Sequence, residues 1–167
     1  MSAVTRKKDS HNTIVLTPAP VGRFLEGHLN AASGLKPGHC MIMDADEDFI
    51  GGKPVVKAFD GTNGNRAIIQ ILLENEMVGK TPEQAIADGQ KVRMYCPING
   101  DELLVRVSAA GTGTGDSLAV GDVLILAQGG TFIKTTGTPQ AEPFVVMEAV
   151  DDVTAEGDLV HVMYTNY

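Results

Sequence analysis

Short apolar runs separated by turn-forming residues dominate the hydrophobic pattern of this chain. Clusters of Gly, Pro, Asn and Asp lie between the runs, and several runs alternate apolar with polar side chains. This arrangement is typical of β-strands joined by tight turns. The pattern predicts strands at 23–30, 38–43, 55–59, 67–73, 91–96, 102–107, 123–127, 131–134, 144–150 and 159–164.

One short phrase recurs along the chain. It consists of a small or polar residue, any residue, a glycine, a polar residue and then a β-prone run. Its copies lie at 36–42, 87–92, 119–125 and 155–160. Each copy predicts a turn that leads into a strand, with glycine at a position of positive φ. Because no copy carries a nucleophile, a base or a metal cluster, the phrase indicates a scaffold rather than an active site.

Local signals predict one helix and two hairpins. Thr81 as N-cap, Pro82 at the first helical position and Gln84 in a capping box predict a short α-helix over about 81–88. The turn-forming residues 97–101 predict a hairpin between strands 91–96 and 102–107. The residues 128–130 predict a second hairpin between strands 123–127 and 131–134.

These elements predict a mainly β protein with compact β-barrel or β-sandwich lobes, one short α-helix and an extended N-terminal arm. The predicted organisation is an arm over 1–20 and a first β lobe with the helix over 21–108. A Gly/Thr-rich joint over 109–118 and a second β lobe over 119–167, packed on the first, follow.

The predicted arm admits two interpretations. Residues 13–17 are β-prone, and Pro18 and Pro20 prevent a helix or a fully paired strand from following. An extended segment of this kind can add a strand to a neighbouring subunit. It can equally form the first strand of the protein's own sheet.

Composition excludes several function classes. A net charge of −8 and a pI near 4.8 argue against binding to nucleic-acid phosphates and favour solubility or a basic protein partner. Aromatic residues make up 5% of the chain, with no Trp, so a base-stacking platform is not expected. No run approaches 18 apolar residues and the N-terminal residues are polar, so we expect neither a membrane span nor a signal peptide. The two cysteines, Cys40 and Cys96, lie in predicted strands and are interpreted as buried free thiols.

No segment carries a recognisable catalytic or cofactor motif. The glycines of 111–115 lack the spacing of a dinucleotide fingerprint, and the acidic run 44–48 lacks the later glycine and glutamate of a calcium loop. A metal site assembled in space from His39, Cys96 and His161 remains an alternative. We therefore assign no catalytic residue, no cofactor-binding residue and no metal ligand.

Two stretches of the chain resemble a known family. Residues 72–95 read LLENEMVGKTPEQAIADGQKVRMY, a strand ending in Glu-x-Glu, then the predicted capped helix, then a turn and a strand. Later come Val120-Gly121-Asp122-Val123-Leu124, the Gly129-Gly130 hairpin and the strand that precedes Gly157-Asp158. Together they resemble the capsid decoration (cement) proteins of tailed bacteriophages, over roughly residues 34–165.

The resemblance implies a non-enzymatic structural protein on the outside of an icosahedral phage head. Such a protein is assembled in the bacterial cytoplasm and becomes part of the virion. It binds as a homotrimer at local threefold positions and clamps adjacent major capsid subunits after the shell has expanded. The implied partners are the major capsid protein and further copies of the chain, with no nucleic acid and no membrane. The candidate contact residues are Thr13, Ile14, Val15, Leu16, Thr17, Pro18, Phe24 and Leu25, although Phe24 and Leu25 could equally belong to the protein's own core.

Two other function classes remain open at this point. A small β-barrel hydrolase or protease encoded by a phage would need a nucleophile or metal that the sequence does not display. A glycan-binding adhesion module would rely on Tyr95, Tyr164 and Tyr167 as stacking rings.

Overall fold

Ten β-strands form the part of the chain that the structure, a computed structural model, describes. The described residues are 14–16, 23–31, 34–61, 69–74, 81–108, 117–135, 144–153 and 157–165. The strands are β1 (Arg23–Leu29), β2 (Cys40–Met43), β3 (Val55–Ala58), β4 (Gln70–Leu72), β5 (Lys91–Cys96), β6 (Glu102–Val107), β7 (Val123–Leu126), β8 (Phe132–Lys134), β9 (Phe144–Val146) and β10 (Asp158–Tyr164).

The strands close into two five-stranded barrels. Barrel 1 has the order β1-β3-β2-β4-β5, with β5 pairing back to β1, and barrel 2 has the order β10-β6-β8-β7-β9, with β9 pairing back to β10. The prediction of a mainly β protein built from barrel lobes is confirmed. Closure of each barrel leaves few strand edges exposed, which limits unwanted pairing with other chains.

The two barrels repeat one topology. Within each barrel the first and third strands run parallel, as β1–β3 and β6–β8, and every other neighbouring pair is antiparallel. The first strand pairs with the fifth in each case, so β6 occupies in barrel 2 the place of β1 in barrel 1. The fold is thus an internal repeat that the sequence shows only through its turns.

The four copies of the glycine phrase occupy equivalent turns of this repeat. Gly38 and Gly121 precede the second strand of their barrels, and Gly89 and Gly157 precede the fifth. Their φ angles are 93°, 92°, 71° and 88°, the left-handed region in which a side chain is strained. The recurring phrase therefore marks the turns that each barrel needs before its second and fifth strands.

The boundary between the lobes differs from the predicted one. Strand β6, which falls within the predicted first lobe, is the first strand of barrel 2 and pairs with β10 and β8. The barrels divide between Cys96 and Glu102, and the Gly/Thr-rich segment lies between β6 and β7 of a single barrel. Most of that segment, 109–116, lies outside the described residues.

One predicted hairpin is confirmed and the other is wrong. Strands β7 and β8 pair antiparallel around Gln128–Gly130, as predicted. Strands β5 and β6 do not pair, because both edges of β5 are taken by β1 and β4 of barrel 1. The turn at 97–101 instead carries the chain from one barrel to the other.

The predicted helix over 81–88 is also wrong, since the described residues of this segment form turns. The amide of Gln84 donates to the carbonyl of Thr81 (3.0 Å), and the Gln84 side chain accepts from the Thr81 amide (3.1 Å), so the capping-box contacts close a single turn. The amide of Ile86 donates to Leu35 (2.8 Å), which removes it from any helical ladder. A segment this short gains too few bonds to propagate a helix against such tertiary pairing.

The packed interior consists of two clusters. One fills barrel 1, around Met41, Leu72 and Met94. The other fills barrel 2 and continues into the contact between the barrels, where it includes Cys40, Ile71 and Tyr95 of barrel 1. The two repeats therefore share a continuous core along their interface.

Candidate interaction surface

The contact between the barrels is built on a row of side chains across neighbouring strands. Cys40 pairs with Ile71, and Ile71 pairs with Tyr95, so all three lie on one face of barrel 1. All are buried against barrel 2. Phe24 pairs with Tyr95 and continues the row on β1, where the cover provided by barrel 2 ends. The predicted contact residue Phe24 thus lies at the margin of the interface between the barrels.

The described part of the predicted arm lies against its own chain. Val15 pairs antiparallel with Leu103, while the Leu16 amide donates to Glu102 and the Leu104 amide donates to Ile14, each at 2.8 Å. The Ile14 side chain is fully buried, and its amide donates to a carboxylate oxygen of Glu74 at 3.0 Å. Residues 14–16 are therefore an extended segment joined by a β-bridge to the protein's own sheet. Thr13, Thr17 and Pro18 lie outside the described residues.

Phe24 and Leu25 are exposed on β1. Phe24 is 45% exposed and Leu25 is 38% exposed, whereas Gly27 and Leu29 further along the strand are buried. The Phe24 ring packs at a tilt against Tyr95, with centroids 5.1 Å apart, and the Arg93 guanidinium lies 5.2 Å from its centroid. The stacking fixes the ring while leaving part of its face accessible to a partner.

Basic side chains surround this exposed stretch. The Glu26 carboxylate forms ion pairs with Lys53 and with Lys91, and Arg23 and Arg93 lie on the same pair of strands. The hydrogen bond from Lys53 is the main cause that lowers the pKa of Glu26, and the bond from Lys91 lowers it further. The bond to Glu26 in turn raises the pKa of Lys53. Three cations, those of Lys53, Lys91 and Arg93, surround this single carboxylate and make a basic patch on the face of β1 that carries Phe24. Alternation places Arg23 on the opposite face of the strand.

A loop with two more exposed apolar residues lies beside the patch. Phe49 is 61% exposed and Ile50 is 49% exposed in the connection between β2 and β3. Lys53 ends a tight turn in which the Ile50 and Lys53 amides and carbonyls bond each other, and its ammonium group reaches Glu26. The sequence pattern does not single out this loop, because an apolar pair beside the acidic run 44–48 carries no periodic signal.

The buried polar groups have structural partners. All five N–H groups of the buried Arg106 guanidinium are engaged, by the carbonyls of Pro37, Pro82 and Gly157 and by both carboxylate oxygens of Glu83. The Asp101 carboxylate accepts from the Tyr95 hydroxyl at 2.7 Å and from the Ile98 amide at 2.8 Å. These groups stabilise the turns and the barrel interface.

Of the three residues considered for a metal site, the two histidines contact other groups and the cysteine is a buried thiol. His39 Nδ1 lies 2.7 Å from the Lys36 carbonyl, and His161 Nε2 lies 2.8 Å from Glu102 Oε2. Cys96 is a buried free thiol, as predicted, and burial raises its pKa. Among the described residues, no group of three or more His, Cys, Asp or Glu side chains is arranged to hold a metal ion.

Comparison with known proteins leaves the surface as the main guide to function. No protein-family model matches the chain, and no curated protein matches it. Within the described part of the chain, no helix is long and apolar enough to cross a membrane. The exposed apolar and basic surface along Arg23–Glu26 is thus the feature with the clearest capacity to bind a partner.

Proposed function

We propose that this chain is a structural decoration (cement) protein of a tailed-bacteriophage head. It binds the outer surface of the icosahedral shell as a trimer at local threefold positions and clamps adjacent major capsid subunits after expansion. The resemblance carried by residues 72–95 and by the later glycine turns supports this proposal.

The observation that carries the proposal is the exposed stretch Arg23–Glu26 with its neighbouring loop. Phe24, Phe49 and Ile50 present apolar surface beside the basic patch, and Leu25 is exposed on the opposite face of the same strand. Exposed aromatic and apolar side chains mixed with arginine are the composition of binding hot spots. The two closed barrels, joined by a continuous core, provide a rigid body on which such a surface keeps its shape.

Clamping by such a protein works through buried interface area rather than through chemistry. A trimer would present three copies of the surface to one threefold site, and linked weak contacts gain strength through effective concentration. The shell then resists separation of its subunits because every bound trimer bridges several of them.

The clamp is tested by the stability of phage heads. Expanded heads that lack the protein, taken from the phage that encodes it, are heated with and without added protein, and DNA release is followed with a fluorescent dye. The proposal predicts release at a higher temperature for decorated heads. Equal release temperatures at saturating protein would contradict the clamp.

A further inference from the structure

At Phe24–Glu26, strand β1 has an edge with which no described strand pairs. It pairs with β5 from Arg23 to His28, but on its other side it pairs with β3 only at His28 and Leu29. The His28 amide donates to the carbonyl of Pro54, just before β3, and the Asn30 amide donates to Val56 on β3. The Leu29 amide points the other way and donates to Gln90, just before β5. By this alternation the amides and carbonyls of Phe24 and Glu26 point to the uncovered side. We call Phe24, Leu25 and Glu26 the open edge.

The equivalent edge in barrel 2 is filled. In the repeated register, Glu102 and Leu104 on β6 correspond to Phe24 and Glu26 on β1. The Glu102 carbonyl accepts from Leu16 and the Leu104 amide donates to Ile14, so the arm segment 14–16 occupies this side of β6. Among the described residues, no hydrogen bond reaches the corresponding Phe24 carbonyl or Glu26 amide. One repeat therefore shows what kind of element fits the uncovered edge of the other.

The surroundings of the open edge indicate the chemistry of its occupant. Phe24 and Leu25 offer apolar contact on opposite faces of the strand. On the face of Phe24, the cations of Arg93, Lys53 and Lys91 outnumber the single carboxylate of Glu26. An apolar strand flanked by acidic side chains complements this surface. Pairing of β1 with β1 of a second copy would bring the same basic groups together, which like-charge repulsion disfavours.

We infer that the open edge binds an extended segment of a capsid subunit, apolar at its centre and acidic at its flanks, as an added antiparallel strand. This inference rests on the proposed function, since it names how the decoration protein holds the shell. In this complex the Phe24 carbonyl accepts a hydrogen bond from the added strand and the Glu26 amide donates one to it. These two bonds are equivalent to those that Glu102 and Leu104 form with residues 14–16.

A proline at the edge tests the inference. Glu26→Pro removes the N–H that is predicted to donate to the incoming strand and places a ring in its path, whereas the ladder to β5 keeps its bonds. Glu26→Ala is the matched control, because it removes the same carboxylate and keeps the N–H. The inference predicts that Glu26→Pro binds expanded heads at least about tenfold more weakly than Glu26→Ala. Thermal unfolding of both variants checks that each remains folded.

Hydrogen exchange on the wild-type protein gives the same test without a substitution. Binding to heads should slow exchange at the Glu26 amide and leave the exposed turn around Val120 in barrel 2 unchanged. Equal binding by the two variants, with no protection of Glu26, would overturn the inference while leaving the proposed function in place. Absence of wild-type binding to heads would overturn both.

Self-association is a distinguishable outcome. If Glu26→Pro reduces the oligomer size in light scattering but leaves head binding unchanged, the open edge joins copies of the chain. That result would overturn the inference that a capsid segment occupies it.

Discussion

Arg106 on β6 holds Glu83 of barrel 1 through both guanidinium arms, with Nη1–Oε2 and Nη2–Oε1 distances of 3.3 and 3.2 Å. The same side chain donates to the carbonyls of Pro37, Pro82 and Gly157, and its amide donates to Gly38 at 2.9 Å. One buried side chain of barrel 2 thus satisfies the turns around two of the recurring glycines and the segment predicted to be a helix.

Replacing Arg106 tests this arrangement. Arg106→Met leaves several buried carbonyls without a donor and should lower the free energy of unfolding by about 3 kcal/mol or more. The control Arg93→Met, on the exposed face of β5, should cost less than about 1 kcal/mol. Urea unfolding measures both variants. Equal stability of the two would contradict a structural role for Arg106.

The Arg106 contacts also explain which part of the fold escaped prediction. The strands and the four glycine turns follow from local pattern, because each depends on residues adjacent in sequence. The 81–88 segment does not, since Pro82 and Glu83 are held by a side chain that is 24 and 23 residues away. The pairing of β5 with β1 and the uncovered side of Phe24 are likewise set by barrel closure, which no local signal specifies.

The surface was predicted in part. Phe24 and Leu25 were named from their position beside the arm, but the sequence did not distinguish exposed from buried side chains there. Tyr95 illustrates the difficulty. It follows Met94 on β5, so strand alternation directs it to the outer face of barrel 1 while Met94 faces the interior. Tyr95 is nevertheless fully buried, because barrel 2 covers that face.

Two adjacent glycines test the close approach of the barrels. Both Gly129 and Gly130 have positive φ, but a Cβ at Gly130 would lie 2.5 Å from the Cys40 carbonyl oxygen, whereas one at Gly129 meets no atom within 4 Å. Gly129→Ala should therefore cost only the backbone strain, about 1 kcal/mol. Gly130→Ala should cost at least about 1 kcal/mol more, because the Cys40–Gly130 hydrogen bond of 2.7 Å must shift. The two variants are compared by chemical denaturation. An equal loss of unfolding free energy in both would contradict a tight contact between Gly130 and Cys40.

The Tyr95–Asp101 hydrogen bond lies where the chain passes between the barrels. Asp101→Ala leaves the buried Tyr95 hydroxyl and the Ile98 amide without their acceptor and should cost about 2–3 kcal/mol. Tyr95→Phe should cost about 1 kcal/mol. The double variant should cost less than the two single variants together, because the hydroxyl and its acceptor are then both removed. Additive costs in this double-mutant cycle would mean that the pair does not interact.

The buried His39 predicts a pH dependence of stability. Burial lowers the pKa of His39, against the opposing effect of its bond to the Lys36 carbonyl, and the positive charges of Arg106 and Lys36 lower it further. Between this lowered pKa and the ordinary value of about 6.5, the unfolded chain binds more protons than the folded one. Stability should therefore be full above about pH 6.5 and decrease as the pH falls below it.

Urea unfolding of wild type and His39→Gln at several pH values between 7.5 and 5 checks this sign. As the pH falls, the free energy of unfolding of the wild type should decrease more than that of His39→Gln. A difference that stays constant over this range would contradict the role given to His39.

Co-sedimentation measures whether this chain decorates expanded phage heads. Purified protein is titrated against undecorated heads of the cognate phage, with unexpanded shells as the control. We expect saturable binding to expanded heads alone, at a fixed number of copies per shell that is a multiple of three. Failure to bind expanded heads, or binding that never saturates, would contradict it.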